Sequence, residues 1–90
     1  MSEPIAIRRK RLIYQSRYRG RLEGDLLLGG FADRHMAALD GAQLDRYEAL
    51  LGESDQDLLA WVAGQAAVPA RHDHDVFRLL RSFRLADRAP

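Results

Sequence analysis

Arg19-Gly20-Arg21-Leu22-Glu23 places a planar, permanently charged donor fork, bare backbone and a carboxylate within five residues of a 90-residue chain. Arginine suits bidentate recognition of carboxylate or phosphate. Glycine lets another backbone come close, and a glutamate accepts hydrogen bonds or, with a raised pKa, moves a proton. Nothing in the sequence marks Glu23 as a proton carrier. The cluster therefore reads as a contact surface rather than an acid–base centre. A plainer alternative stands beside it: Gly20 as a helix stop, Arg19 as a complement to the helix dipole and Glu23 as a first-turn acid.

Other chemistry has little support. Cysteine is absent, so thiolate nucleophiles, disulfides and Cys-based metal sites are excluded. The serines at 2, 16, 54 and 82 lie in no G-x-S-x-G elbow, and Gly29-Gly30 lacks the phosphate-loop pattern. An enzyme is not expected. His72-Asp73-His74-Asp75 looks metal-like, but histidines two apart on a helix point to different sides. It reads as a polar helix start capped by Asp73, with no metal site. Arg8-Arg9-Lys10-Arg11 resembles a nucleic-acid patch, yet only Tyr14 and Tyr18 follow it as stacking partners. Docking on an acidic protein surface or a cofactor phosphate is the better functional reading, and a solvated helix face the plain one. Trp61 reads as core, and Glu53, Asp55 and Asp57 as a solvated helix start.

The elements that must position the motif are helical. Leu, Ala, Arg, Asp and Glu dominate, Thr is absent, and no segment alternates with period two. The spacing predicts a first helix from about Pro4 to Tyr18, with Pro4 at its first position and Ile5, Leu12, Ile13 and Tyr14 on its apolar side. A second runs from about Arg21 to Ala38, with Leu22, Leu26, Leu27, Phe31, Met36 and Leu39 at helical spacing. Gly29-Gly30 within it implies either a kink or close approach of a neighbour. The third spans about Gly41 to Leu51, opened by a capping box of Asp40 and Gln43 and facing Leu44, Tyr47, Leu50 and Leu51 inward. The fourth spans about Asp55 to Gly64 with Ser54 as cap and Leu58, Leu59, Trp61 and Val62 apolar. A loop around Ala67 to Arg71 holds Pro69. The last helix spans about Asp73 to Ala86, with Val76, Phe77, Leu80 and Phe83 on one face, before a frayed tail at 87–90. The expectation is an all-α, five-helix bundle, a single domain ordered over about 4–86.

Fourteen basic and thirteen acidic side chains leave a formal charge of +1, which does not suggest a general polyanion binder. No apolar run approaches the roughly 20 residues of a membrane span, and no signal peptide is visible.

The motif has matching flanks. Arg11, Leu12, Tyr14, Ser16 and Arg17 precede it. Glu23-Gly24-Asp25-Leu26-Leu27-Leu28 and Phe31-Ala32 follow, then Asp57-Leu58-Leu59-Ala60-Trp61 and Val68-Pro69-Ala70. With R-G-x-x-E at Arg19, Gly20 and Glu23, the chain resembles the succinate dehydrogenase flavinylation factors over nearly its whole length, from about Arg8 to Phe83. That resemblance implies an assembly factor rather than an enzyme. Such a factor binds the flavoprotein subunit of succinate dehydrogenase, and in some bacteria that of fumarate reductase. It promotes covalent attachment of FAD to a client histidine, by a bond thought to form autocatalytically in the client. It implies partner-binding roles for Arg19, Gly20, Glu23, Arg17, Arg11, Tyr14 and Asp25. No cofactor is expected to be held permanently, although the client's FAD is a possible contact. Nucleic acid and membrane insertion are not expected, and a monomer is favoured over a dimer. Mitochondrial members carry a transit peptide, and almost nothing precedes the first helix here; the expectation is a bacterial cytoplasmic protein, with a chain lacking its leader as the alternative. The competing readings are a helical adaptor without a flavin role and a small nucleic-acid binder using the first helix.

Overall fold

The computed structural model describes residues 3–20 and 22–87, with side chains through Arg84. Arg21, the expected start of the second helix, and positions 88–90 of the expected tail lie outside the described residues. Asp87, assigned above to that tail, closes the last helix instead.

Among the described residues the chain forms five α-helices and no strand: α1 (Ile5–Arg17), α2 (Leu22–His35), α3 (Gly41–Leu51), α4 (Asp55–Val62) and α5 (Asp75–Asp87). Two 3-10 turns, Met36–Ala38 and Ala70–His72, join them. The all-α expectation holds, and local chemistry explains the boundaries. Asp40 accepts the Gln43 N–H at 2.8 Å, and the Gln43 side chain accepts the Asp40 N–H at 2.9 Å, so the expected capping box starts α3. Ser54 caps α4 by accepting the Asp57 N–H at 3.1 Å. Pro4 precedes α1 as its cap rather than occupying its first position. Asp73 does not cap α5. The ring of His74 does so, its Nδ1 accepting the Phe77 N–H at 3.1 Å, while Asp73 pairs with Arg78 on the surface.

One core fills the bundle: Leu12 of α1, Leu28, Phe31 and Ala32 of α2, Leu44, Tyr47 and Leu50 of α3, Leu58, Trp61 and Val62 of α4, and Val76, Phe77 and Leu80 of α5. Tyr47 is fully buried; its hydroxyl meets that of Ser16, which donates to the Leu12 carbonyl at 2.7 Å. Burial pushes the Tyr47 phenol up to about 12. The helix α2 continues unbroken through Gly29-Gly30, which settles the earlier alternative in favour of close approach. A Cβ at Gly29 would lie 3.1 Å from Arg17 Cγ on α1, and one at Gly30 would lie 3.1 Å from Phe83 Cζ on α5.

The basic run of α1 is tied to α3. Arg8 pairs with Asp45 at 2.6 Å and Glu48 at 2.9 Å, and Arg11 pairs with Glu3 at 2.8 Å and Glu48 at 3.0 Å. Arg9 donates to the Leu39 carbonyl at 2.8 Å. Arg8 and Arg11 brace α1 against α3, and these pairs engage donors that a nucleic-acid or anion patch would present.

Acid should loosen this bundle in two stages. His74 lies below its ordinary value of 6.5, chiefly because burial disfavours its charged form. Its neutral ring is also the α5 cap. Glu3 and Glu48 lie below 4.5 because they accept bonds from Arg11, and Glu53 because it accepts from Arg71 and His72. Every one of these groups binds a proton more readily when unfolded, so each adds stability that falls away as pH drops. The melting temperature should be flat above about pH 6.5, decline mildly below it, and fall steeply below about pH 4.5. Thermal unfolding between pH 3 and 8 checks this; a melting temperature that rises on acidification would contradict it.

Candidate functional site: the α1–α2 turn

The motif sits where α1 ends and α2 begins. Gly20 has φ +94°, a conformation in which L side chains are strained, and a Cβ there would meet nothing within 4 Å. The glycine is required by the backbone turn, and the space beside it is open. Asp25, one turn into α2, accepts the Arg19 backbone N–H at 2.8 Å and closes the turn from inside.

Arg19 reaches away from solvent into the bundle. Its Nε donates to Asp55 Oδ1 at 2.5 Å, its Nη1 to the Leu51 carbonyl at 2.9 Å and its Nη2 to the Glu53 carbonyl at 2.8 Å. The two side chains of the ion pair are only 12% and 8% exposed. One guanidinium therefore ties the turn to the end of α3 and to the first turn of α4. Asp55 abuts α2 as well, since a Cβ on Gly24 would lie 2.7 Å from Asp55 Oδ2. That oxygen is buried and has no hydrogen-bond partner. Because Arg19 fixes the carboxylate, it cannot swing aside cheaply. Gly24→Ala should consequently cost about 1–2 kcal/mol, the overpacking penalty exceeding the roughly 1 kcal/mol gained in helix propensity. Urea unfolding reads this directly, and an unchanged midpoint would contradict the fit.

What remains exposed is different. Glu23 lies at the surface on the first turn of α2. Around it the chain exposes large apolar groups: Tyr14 and Tyr18 at the end of α1 and Leu22 and Leu26 at the start of α2, each more than 60% accessible. The two tyrosine rings contact each other with centroids 4.6 Å apart. An open groove of about 710 Å³ runs beside the turn, with Tyr14 and Tyr18 on one wall, Leu51, Ser54 and Asp55 on the other, and Arg19 between them. Arg17 is half-exposed and pairs with Asp33 of α2. Arg11 lies farther back, engaged by Glu3 and Glu48.

The residues singled out from sequence thus divide into two sets. Glu23, Gly20 and Tyr14 lie at the surface, whereas Arg19 and Asp25 build the turn and Arg11 and Arg17 are engaged by carboxylates of the chain itself. Three surface residues were missed as such. Leu22 and Leu26 stand in the sequence only as apolar residues at helical spacing, and Tyr18 only as a stacking neighbour of the basic run. The signal was available. At 100° per residue Leu26 lies about 200° from Leu28, so these leucines cannot share a face. Asp55, Leu51 and Glu53 as the receivers of Arg19 carried no local signal.

The helical bundle engages its motif arginine internally and displays tyrosine and leucine around the same turn. Residues 10–84 match the family described as the flavinator of succinate dehydrogenase, and the chain belongs to that family. It is 44% identical to succinate dehydrogenase assembly factor 2, mitochondrial, of Candida glabrata, an alignment covering 92% of this chain and 57% of that protein. It is 38% identical to the protein of the same name from Aedes aegypti, over 89% of this chain and 51% of that one. The counterpart from Dictyostelium discoideum is 42% identical, over 81% and 52%. The chain spans about half the length of these relatives. The expectation of a bacterial cytoplasmic protein is corrected here, because the relatives are named as mitochondrial proteins of eukaryotes.

Proposed function

We propose that this chain is an assembly factor that binds the flavoprotein subunit of succinate dehydrogenase and promotes covalent attachment of FAD to it. Family membership supports the client and the task. The observation that carries the docking site is the exposure of Tyr14, Tyr18, Leu22 and Leu26 around Glu23, on a turn that Arg19 fixes from within. Exposed aromatic and aliphatic anchors beside a polar group have the make-up of an interface hot spot.

The flavin belongs to the client, and so does the bond-forming chemistry. The chain's own part is to dock and to select a client conformation in which the acceptor histidine and the flavin are aligned. Alignment of this kind is worth several kcal/mol, up to about 7–11 in favourable cases. The fumarate reductase flavoprotein is a second client of the same shape of task. Glu23 contributes as a docking acceptor rather than a proton carrier. Glu23→Gln should keep full flavinylation, while Glu23→Lys should lose client binding. In-gel flavin fluorescence of the denatured client reads the first and a pull-down the second. Loss of covalent flavin with Glu23→Gln, at undiminished binding, would instead make Glu23 an acid–base group.

A further inference from the structure

We infer that His72 and Glu53 are positioning residues for the motif turn, holding Arg19 in place from behind; their bearing on client docking rests on the function proposed above. Two of the three receivers of the Arg19 fork are backbone carbonyls, those of Leu51 and Glu53. Carbonyls hold a side chain only as firmly as their own segment is held. The α3–α4 connection is short and closed by turn bonds, Gly52 N–H to Ala49 and Glu53 N–H to Leu50. What ties it to the rest of the molecule on the far side is the Glu53 carboxylate. Its Oε2 accepts from Arg71 at 2.6 Å and lies 2.7 Å from His72 Nε2.

The Arg71 contact alone would be a weak tether, since that side chain is 63% exposed and surface pairs contribute little. His72 is different. It is 3% exposed, and its ring lies 5.6 Å from the ring of Trp61 in the core. Its Nδ1 is buried without a partner, so Nε2 is the nitrogen that carries the hydrogen and donates to the carboxylate. The titratable and charged groups facing it are Glu53 from the α3–α4 connection and, from its own segment, Arg71 and His74, whose ring is 6.2 Å away. A continuous set of contacts therefore runs from Trp61 through His72 and Glu53 to Arg19 and the turn at Gly20. The 3-10 turn that bears His72 thereby fixes the segment on which the motif arginine rests.

The test uses the full chain and reads, by NMR, hydrogen exchange of the Arg19 Nη–H groups that donate to the two carbonyls. In Glu53→Ala the carbonyl that Arg19 uses is still present and only the carboxylate anchor is gone. Exchange should nonetheless quicken about tenfold or more, the loss expected for a hydrogen bond to a charged group. His72→Gln, whose amide nitrogen can replace Nε2, should stay near the wild-type rate. Client pull-down should weaken in parallel with exchange. Unchanged Arg19 exchange in Glu53→Ala would overturn the positioning role, and so would full client binding by a variant in which Arg19 exchanges freely. A wild-type chain that fails to retain the flavoprotein would count against the proposed function, while the exchange rates alone would still decide whether the clamp exists.

Discussion

Arg19→Ala is expected to lower the melting temperature by at least roughly 12 °C, making Arg19 a stability residue before it is anything else. The substitution removes a guanidinium that is 12% exposed and leaves the Asp55 carboxylate, 8% exposed, without its counter-charge. Breaking a buried pair from one side costs about 3–5 kcal/mol, because the abandoned charge stays buried. For a domain of this size each kcal/mol moves the midpoint by about 4–8 °C. Two backbone carbonyls, those of Leu51 and Glu53, lose donors at the same time. Arg19→Lys should recover only a part of this, since an ammonium cannot reproduce three donors aimed in one plane. Calorimetry of the two variants is sufficient. A midpoint within a few degrees of wild type for Arg19→Ala would mean that the pair contributes nothing and that the arginine is free to serve a partner. The expected result carries a warning for functional assays: loss of flavinylation in Arg19→Ala would report a collapsed turn, not a lost client contact.

The second large effect has the opposite signature. Leu22→Asp combined with Leu26→Asp should leave the melting temperature nearly unchanged and abolish retention of the client. The two leucines are 77% and 67% exposed, so the folded chain loses little by their replacement. Asp at position 22 also suits the first turn of α2, where acids favour the helix dipole. In a docked complex the same positions would be desolvated anchors, and each hot-spot residue is worth about 2 kcal/mol or more. Two of them correspond to a drop in affinity on the order of a thousandfold. Circular dichroism with a binding titration separates the cases. Retained affinity would remove this face from the interface, and a cooperative loss of helicity would show that the leucines hold the fold together.

The contrast between these two predictions shows where sequence reasoning ran out. Elements set by neighbouring residues were legible. The Asp40–Gln43 capping box and the Ser54 cap are built within four residues, and α3 and α4 start where those residues place them. The start of α5 was misplaced because a histidine ring took the capping role ordinarily given to Asp or Ser. The roles of the motif residues were harder for a different reason. Arg19 and Asp55 are separated by 36 positions, and nothing local to either announces the pair. An arginine beside a glycine at a helix junction looks the same whether it faces a partner or its own core. Helical spacing alone does not place Leu22 and Leu26, because α2 carries apolar residues on two opposite sides. Gly24, Gly29 and Gly30 mark where Asp55, Arg17 and Phe83 press against that helix.

Covalent flavin on the isolated flavoprotein subunit is the most direct test. The subunit would be incubated with FAD and with either the wild-type chain or the Leu22→Asp, Leu26→Asp double variant. Flavin fluorescence would then be read after denaturation. The account predicts rapid acquisition of covalent flavin with wild type, and with the folded double variant no more than the subunit acquires alone. Equal acquisition with and without the wild-type chain, or full activity from the double variant, would contradict it.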